Sequence, residues 1–198
     1  MLVLASASPR RRELLAQAGF SFEVESIPID ETRQPQESPE AHVQRLAREK
    51  AEAVVRARQE RSDPRLPVLG ADTVVVCGDD VLGKPTDEDD AFRILRLLSG
   101  RTHRVLTGTC LISAAGAEVA IDSTLVTMRP VAEEEIRAYI ATGEPRDKAG
   151  AYAIQGRAGR WIPRIEGCYF NVVGLPLARV SAMVEAVSRI MGTIGPRR

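Results

Sequence analysis

Met1-Leu2-Val3-Leu4-Ala5-Ser6-Ala7-Ser8-Pro9-Arg10-Arg11-Arg12-Glu13-Leu14-Leu15 opens the chain, and its two halves follow different patterns. Met1 to Ala5 is an apolar run suited to a short buried strand. Ser8 is a good N-cap and Pro9 a good first helical residue. Leu14, Leu15 and Ala18 follow at helical spacing, so a helix is expected from Pro9 to Ala18, closed by Gly19. A strand feeding directly into a helix is the seed of an α/β fold. Arg10, Arg11 and Arg12 lie at the positive end of that helix, where each uncompensated cation costs about 0.3–1 kcal/mol. A phosphate-bearing ligand would convert the conflict into a binding site, because helix N-termini favour anions. Three side chains swinging into water are the plain alternative.

The same alternation continues along the chain. Phe20–Ile29 reads as extended, and a polar loop covers Asp30 to Glu37. Ser38-Pro39-Glu40 opens an amphipathic helix to about Gln59, with Val43, Leu46, Ala47, Ala51 and Val54 on one face. Arg61–Pro67 reads as a surface connection, followed by an apolar strand over Pro67–Val76 and a turn into a short strand at Val81-Leu82. Thr86 or Asp87 caps a helix to Leu98. His103–Ser113 and Glu118–Thr127 read as paired strands, and Ala132–Ala141 as a helix ending at Gly143. Gly150–Arg164 is expected to be loop with a strand to follow, and Asn171–Val173 to be extended. The last helix starts after Pro176 and frays into Pro196-Arg197-Arg198. Interleaved strands and helices favour an α/β fold with a mixed sheet. No repeat or linker divides residues 1–198, so a single domain is expected, its 198 residues sufficing for one core or two lobes around a cleft.

Bulk properties narrow the function. Twenty-seven basic residues balance 27 acidic ones, so no global field draws the chain to nucleic acid or anionic lipid. Aromatics are 4%, too few for the stacking platforms of single-strand binders. Cys77, Cys110 and Cys168 are odd in number and lack C-x-x-C spacing, which argues for buried reduced thiols and a reducing compartment. No secretory h-region opens the chain, and no run of about 18 uncharged apolar residues occurs. A cytoplasmic protein is expected.

The sharpest single position is Asp72, an aspartate between Val68-Leu69-Gly70-Ala71 and Thr73-Val74-Val75-Val76. Unpaired burial of a carboxylate costs several kcal/mol (order of magnitude), so the sheet either pairs it structurally or delivers it to a metal or a water. Gly78 to Lys84 matches the first part of a P-loop, but Pro85 stands where Ser or Thr must reach magnesium, and Asp79 and Asp80 would repel phosphates. Lys84 remains pinned between Gly83 and Pro85. Lys50 falls near the apolar stripe of its helix, with a stem suited to partial burial. Glu31 sits in an acidic loop without distinguishing neighbours. His42 and His103 lack ligand-spaced partners. Gln155, in a run of small residues, offers both a donor and an acceptor suited to reading a base edge.

Taken together these segments resemble the Maf family of nucleoside triphosphate pyrophosphatases over almost the whole chain. The likeness is carried by Leu4-Ala5-Ser6-Ala7-Ser8-Pro9-Arg10-Arg11, Arg48-Glu49-Lys50-Ala51, Gly70-Ala71-Asp72-Thr73-Val74-Val75 and Leu82-Gly83-Lys84-Pro85. Leu98-Ser99-Gly100-Arg101-Thr102-His103, Asp147-Lys148-Ala149-Gly150-Ala151-Tyr152-Ala153-Ile154-Gln155-Gly156 and Val172-Val173-Gly174-Leu175-Pro176 complete it. The resemblance implies an elongated mixed β-sheet flanked by helices, with two lobes around a central cleft. It implies cleavage between the α- and β-phosphates with a divalent cation, Mg2+ or Mn2+. On this chain Asp72 matches the proton acceptor, and Ser6, Arg10, Arg11, Lys50 and Lys84 match substrate contacts. Glu31 and Asp72 match metal positions, while Arg10, Thr73 and Gln155 match positions tied to substrate choice. The implied partner is a nucleoside triphosphate, with no nucleic acid or membrane and with room for a homodimer.

The Asp147–Gly156 run, with Gln34-Pro35-Gln36-Glu37-Ser38, resembles the subgroup acting on dTTP and UTP. A sister group acts on 7-methyl-GTP. A nucleotide-binding regulator of cell division with little catalysis is the reading from another class.

Overall fold

A computed structural model describes residues 1–63 and 66–193, the last three by backbone alone. The expected fraying at Pro196-Arg197-Arg198 and the middle of the Arg61–Pro67 connection, Pro64 and Arg65, lie outside the described residues. β1 (Leu2–Ala5) passes through Ser6-Ala7-Ser8 into α1 (Pro9–Gln17), and Gly19 ends it at φ +77°. Only Phe22–Val24 of the expected extended stretch forms a strand, β2. α2 (Pro39–Glu60) begins where Ser38 Oγ accepts from Ala41 N at 3.1 Å. β3 (Val68–Cys77) turns back on itself as β4 (Asp80–Leu82). Asp87, not Thr86, caps α3 (Glu88–Leu98), its Oδ1 accepting from Asp90 N at 2.7 Å. β5 (Thr102–Ser113), β6 (Gly116–Thr127) and α4 (Glu133–Ile140) follow as the pattern predicts.

Two stretches differ from their sequence reading. Gly150–Arg164 is not open loop: short 3-10 turns form at Ala149–Ala151 and Arg157–Trp161, before β7 (Arg164–Glu166). Asn171–Val173 is helical, within α5 (Tyr169–Val173), rather than extended. The buried Asn171 amide fixes it there, donating to Val105 O at 3.0 Å and to Thr124 Oγ1 at 2.9 Å. Such tertiary anchoring overrides the weak extended preference of two valines. α6 (Leu177–Thr193) closes the described chain.

The strands form one seven-stranded mixed sheet in the order β2-β1-β3-β5-β6-β7, with β4 paired to β3. β1 is parallel to both β2 and β3, whereas β3–β4 and β6–β7 are antiparallel. By contact the chain divides into two compact units. The first comprises Met1–Asp72, Thr107–Ile121 and the segment from Gly174 onward; the second comprises Thr73–Leu106 and Asp122–Val173. Val3, Ala5, Ala47, Ala51, Val54, Val68 and Cys110 make one core cluster in the first unit. In the second, Trp161 and Tyr139 meet edge to face at 5.0 Å among the leucines and isoleucines of α3 and α4. Cys77 and Cys110 are buried as expected, and burial pushes the Cys110 thiol up to about 11, but Cys168 is only half-buried. Among the described residues no helix is long and apolar enough to cross a membrane.

The seating of α2 decides where the charged residues fall. Its small residues let the helix backbone lie directly on the sheet. A Cβ at Gly70 would come within 2.1 Å of Ala47 O, and one at Gly108 within 2.2 Å of Val43 O. Val43 and Ala47 are one turn apart on α2, so the two glycines fix both its height and its rotation. Gly70→Ala must push helix from sheet, and a destabilisation of about 3 kcal/mol is expected. Urea unfolding of the variant beside wild type checks it; an unchanged midpoint would contradict this close packing.

Candidate active site

Residues from both sides of the Gly70 contact meet in the first unit. Register pairs Ala5 with Gly70, so Ser6 at the end of β1 stands beside Ala71. Asp72 lies two residues beyond Gly70 on β3, hence on the face that receives α2. Lys50 precedes Ala51, whose backbone and Cβ crowd Gly70. Lys50 Nζ therefore reaches Asp72 Oδ1 at 2.7 Å, and the same ammonium lies 2.7 Å from Glu31 Oε1. The Lys50 and Asp72 side chains are 15% and 11% exposed, while that of Glu31 is 52% exposed and open to solvent. Asp72 is thus buried with a partner, and Lys50 is an interior hand rather than a snorkelling surface lysine.

The three arginines separate at the helix start. Arg12 is exposed, Arg10 half-buried, and Arg11 buried. Arg11 donates from Nε to Gly174 O at 2.8 Å, and from Nη1 to Ala71 O at 2.8 Å and Ser6 Oγ at 3.2 Å. Burial lowers the pKa of its guanidinium, and the nearby carboxylates of Asp72 and Glu31 oppose that shift. Ser8 stands at the N-cap of α1 with extended backbone, but its side chain makes no capping bond. Its own N–H donates instead to Ser6 Oγ at 3.2 Å. The first turn of α1 carries no acidic residue to offset the dipole. This helix end combines N–H donors with cationic side chains, which is the chemistry of an anion site.

Two carboxylate oxygens sharing one ammonium can be no farther apart than twice their common 2.7 Å. That separation suits a hard divalent cation taking one or two carboxylates, with waters and phosphate oxygens completing its shell. Among the described residues no group of three or more His, Cys, Asp or Glu could hold an ion by itself. Glu31 and Asp72 are the two carboxylates at this point that could contribute ligands to such a cation. His42 and His103 serve elsewhere: His42 bonds Glu37, and the buried His103 meets Tyr152 Oη at 2.8 Å, burial lowering its pKa to about 4.

Thr73, Lys84 and Gln155 belong to the second unit. Thr73 is half-buried on β3. Lys84 is exposed, its segment tied to the Asp147–Gly156 run by Gly150 N donating to Gly83 O at 2.9 Å. Gln155 is exposed on a turn closed by Gly156 N donating to Ala153 O at 3.0 Å.

One group in this region was not evident from sequence. The loop bearing Glu31 is anchored to α2 through Glu37, whose carboxylate accepts from Arg45 Nε at 2.7 Å and from Gln34 N at 3.1 Å. Arg45 also donates to Thr32 O at 3.1 Å, next to Glu31 in sequence. His42, Arg45 and Glu49 share one edge of α2 at helical spacing, and an acidic residue just before its cap was the available signal. The Arg45 guanidinium holds the Glu37 carboxyl down, from its ordinary 4.5 to about 2. A depressed folded-state pKa contributes stability that is present above pH 4.5 and lost as pH falls towards about 2. Glu37→Gln is expected to lower stability at pH 7 by about 1–3 kcal/mol. Urea midpoints at pH 7 and pH 3 should then differ less than in wild type.

A mixed α/β sheet that carries a buried acid–ammonium pair beside an arginine-rich helix start defines a class of anion-handling α/β proteins. The chain belongs to the Maf family, the model for Maf-like protein matching residues 1–187. It is 50% identical over 184 residues to the dTTP/UTP pyrophosphatase of Hahella chejuensis, covering 93% of this chain and 90% of that protein. It is 52% identical over 184 residues to the protein of the same name from Koribacter versatilis, covering 93% of each. The dTTP/UTP pyrophosphatase of Geobacillus sp. (strain WCH70) is also 52% identical over 184 residues, covering 93% of this chain and 96% of that one.

Proposed function

We propose that this chain hydrolyses dTTP and UTP to the monophosphate and pyrophosphate. The observation that carries the reading is the buried Asp72 carboxylate, held at 2.7 Å by Lys50 and sharing that ammonium with Glu31. The names of relatives about 50% identical over nearly their full length support the substrate pair. Ser6, at the end of β1, and Arg10, at the start of α1, bind phosphate oxygens together with the N-terminal end of the helix. Arg11 adds charge from beneath while fixing the Ala71 carbonyl beside Asp72. Lys84 contributes a further ammonium to the phosphates. A divalent cation, Mg2+ or Mn2+, would be held by Glu31 and Asp72, and supplies neutralisation of the polyphosphate charge.

Asp72 serves as the proton acceptor. Lys50 engages Oδ1, which leaves Oδ2 to take a proton from water as its oxygen attacks the α-phosphorus. The α-phosphorus-to-bridging-oxygen bond breaks and its electron pair leaves with pyrophosphate. Orientation of the water and stabilisation of charge account for the acceleration, since little covalent work falls to the protein. Arg10, Thr73 and Gln155 set substrate choice. Its substrates are free nucleoside triphosphates, which makes the cytoplasm its proposed place of work.

The test is a panel of nucleoside triphosphates with Mg2+ or Mn2+, followed by pyrophosphate and monophosphate release. Preferred turnover of dTTP and UTP, with equal monophosphate and pyrophosphate, is expected. Release of orthophosphate alone would contradict the cleavage position. Asp72→Asn should reduce kcat by about 100-fold or more. Undiminished turnover in a folded variant would remove Asp72 from the proton transfer.

A further inference from the structure

The turn that presents Gln155 is gripped at both shoulders by a buried tyrosine and a half-buried glutamate from outside it. Tyr139 Oη accepts from Ala153 N at 3.1 Å, the first residue of the turn. The same hydroxyl donates to Glu144 Oε1 at 2.8 Å. Glu144 then accepts from Arg157 N, the residue just after the turn, at 3.1 Å through Oε1 and 3.3 Å through Oε2. Tyr139 is itself 2% exposed and packed edge to face on the fully buried Trp161 at 5.0 Å. The fit is close at the turn's end, where a Cβ on Gly156 would stand 2.0 Å from Glu144 Oε1. Glu144 in turn is set by its own N–H, which donates to Thr142 Oγ1 at 3.2 Å.

We propose that Tyr139 and Glu144 are positioning residues for substrate choice, acting through Gln155 by fixing the backbone turn that carries it. The proposal rests on the reading of Gln155 as the residue that meets the base. A glutamine amide has a donor and an acceptor, so it suits the carbonyl and N–H edge of uracil or thymine and, reversed, the edge of cytosine. It can separate these bases only if its approach is fixed. An exposed turn by itself would leave Gln155 free to adapt. A bridge from the aromatic core to both of its ends removes that freedom, as preorganised sites require.

The experiment measures kcat/KM for UTP and for CTP in wild type, Gln155→Ala, Glu144→Ala, Glu144→Gln, Tyr139→Phe and the Glu144→Ala/Gln155→Ala double variant, together with each Tm. Glu144→Ala and Tyr139→Phe should lower the UTP-to-CTP ratio by about fivefold or more, through a raised KM for UTP. Glu144→Gln, which keeps the Oε1 acceptor, should restore the ratio to within about twofold of wild type. The double variant should show no greater loss than Gln155→Ala. A ratio reports on folded enzyme only, so loss of stability does not move it, and Tyr139→Phe carries the test if Glu144→Ala does not fold. A ratio lost in Gln155→Ala but kept in Glu144→Ala and Tyr139→Phe overturns the positioning role. An unchanged ratio in Gln155→Ala removes its base-reading role, and the proposal with it.

Discussion

The contact of the α2 backbone with Gly70 and Gly108 is the constraint from which the rest of the first unit follows. Helix and sheet ordinarily keep a layer of side chains between them. Here two glycines on the sheet and the backbone carbonyls of Val43 and Ala47 replace that layer. Such an approach leaves almost no rotational play, because turning α2 would drive a Cβ into β3 or β5. The benefit is at Lys50 and Asp72. A lysine one residue from Ala51 and an aspartate two residues from Gly70 are brought to 2.7 Å by backbone fit, before their own attraction acts. Buried ion pairs stabilise little on balance because desolvation offsets much of their attraction. Their geometry here is therefore better read as a consequence of packing than as its cause.

Arg11 extends the same logic to the first helix. Three cations at a helix start would be poorly placed if all three were solvated. One of them instead turns inward and joins the end of β1, the Ala71 carbonyl and the Gly174 carbonyl. Two buried carbonyls gain a charged donor, and the positive charge stays near Asp72 and Glu31. Charge in this region alternates over short distances, with each acid facing at least one cation. A phosphate chain and a hard cation bring the same alternation with them, which is why the arrangement suits an anhydride better than a neutral ligand.

Most of the fold was legible because caps and periods agreed. Ser38-Pro39 and Asp87 start their helices as composition alone suggests, and Gly19 and Gly143 end theirs with positive φ. Asn171-Val172-Val173 misled because its conformation is set by one buried amide reaching Val105 and Thr124, contacts far away in sequence. Arg157–Trp161 misled for the opposite reason: glycine and arginine read as loop, while the indole of Trp161 draws the segment into the core. In the candidate site, Asp72 announced itself by a charge inside an apolar strand. Lys50 and Glu31 did not, since an amphipathic helix and a polar loop carry many such residues. Only the rotation fixed at Gly70 tells which lysine faces inward, and only the Glu37–Arg45 anchor tells which loop acid comes to it.

The two kinds of support differ in a way that bears on how such a protein can change. Asp72 is carried by a central strand, so altering its position means altering the sheet. Gln155 is carried by a turn whose placement depends on a hydroxyl and a carboxylate, Tyr139 and Glu144, reaching it from neighbouring segments. Substitutions in that turn or its two supports can move Gln155 by fractions of an ångström while the strand-borne acid stays in place. With the proposed roles of Asp72 and Gln155, chemistry fixed in a sheet and selectivity hung on a braced turn would let substrate preference drift without loss of the reaction. Tyr139, buried against Trp161, also limits that drift, because it cannot vary freely without disturbing the core of its own unit.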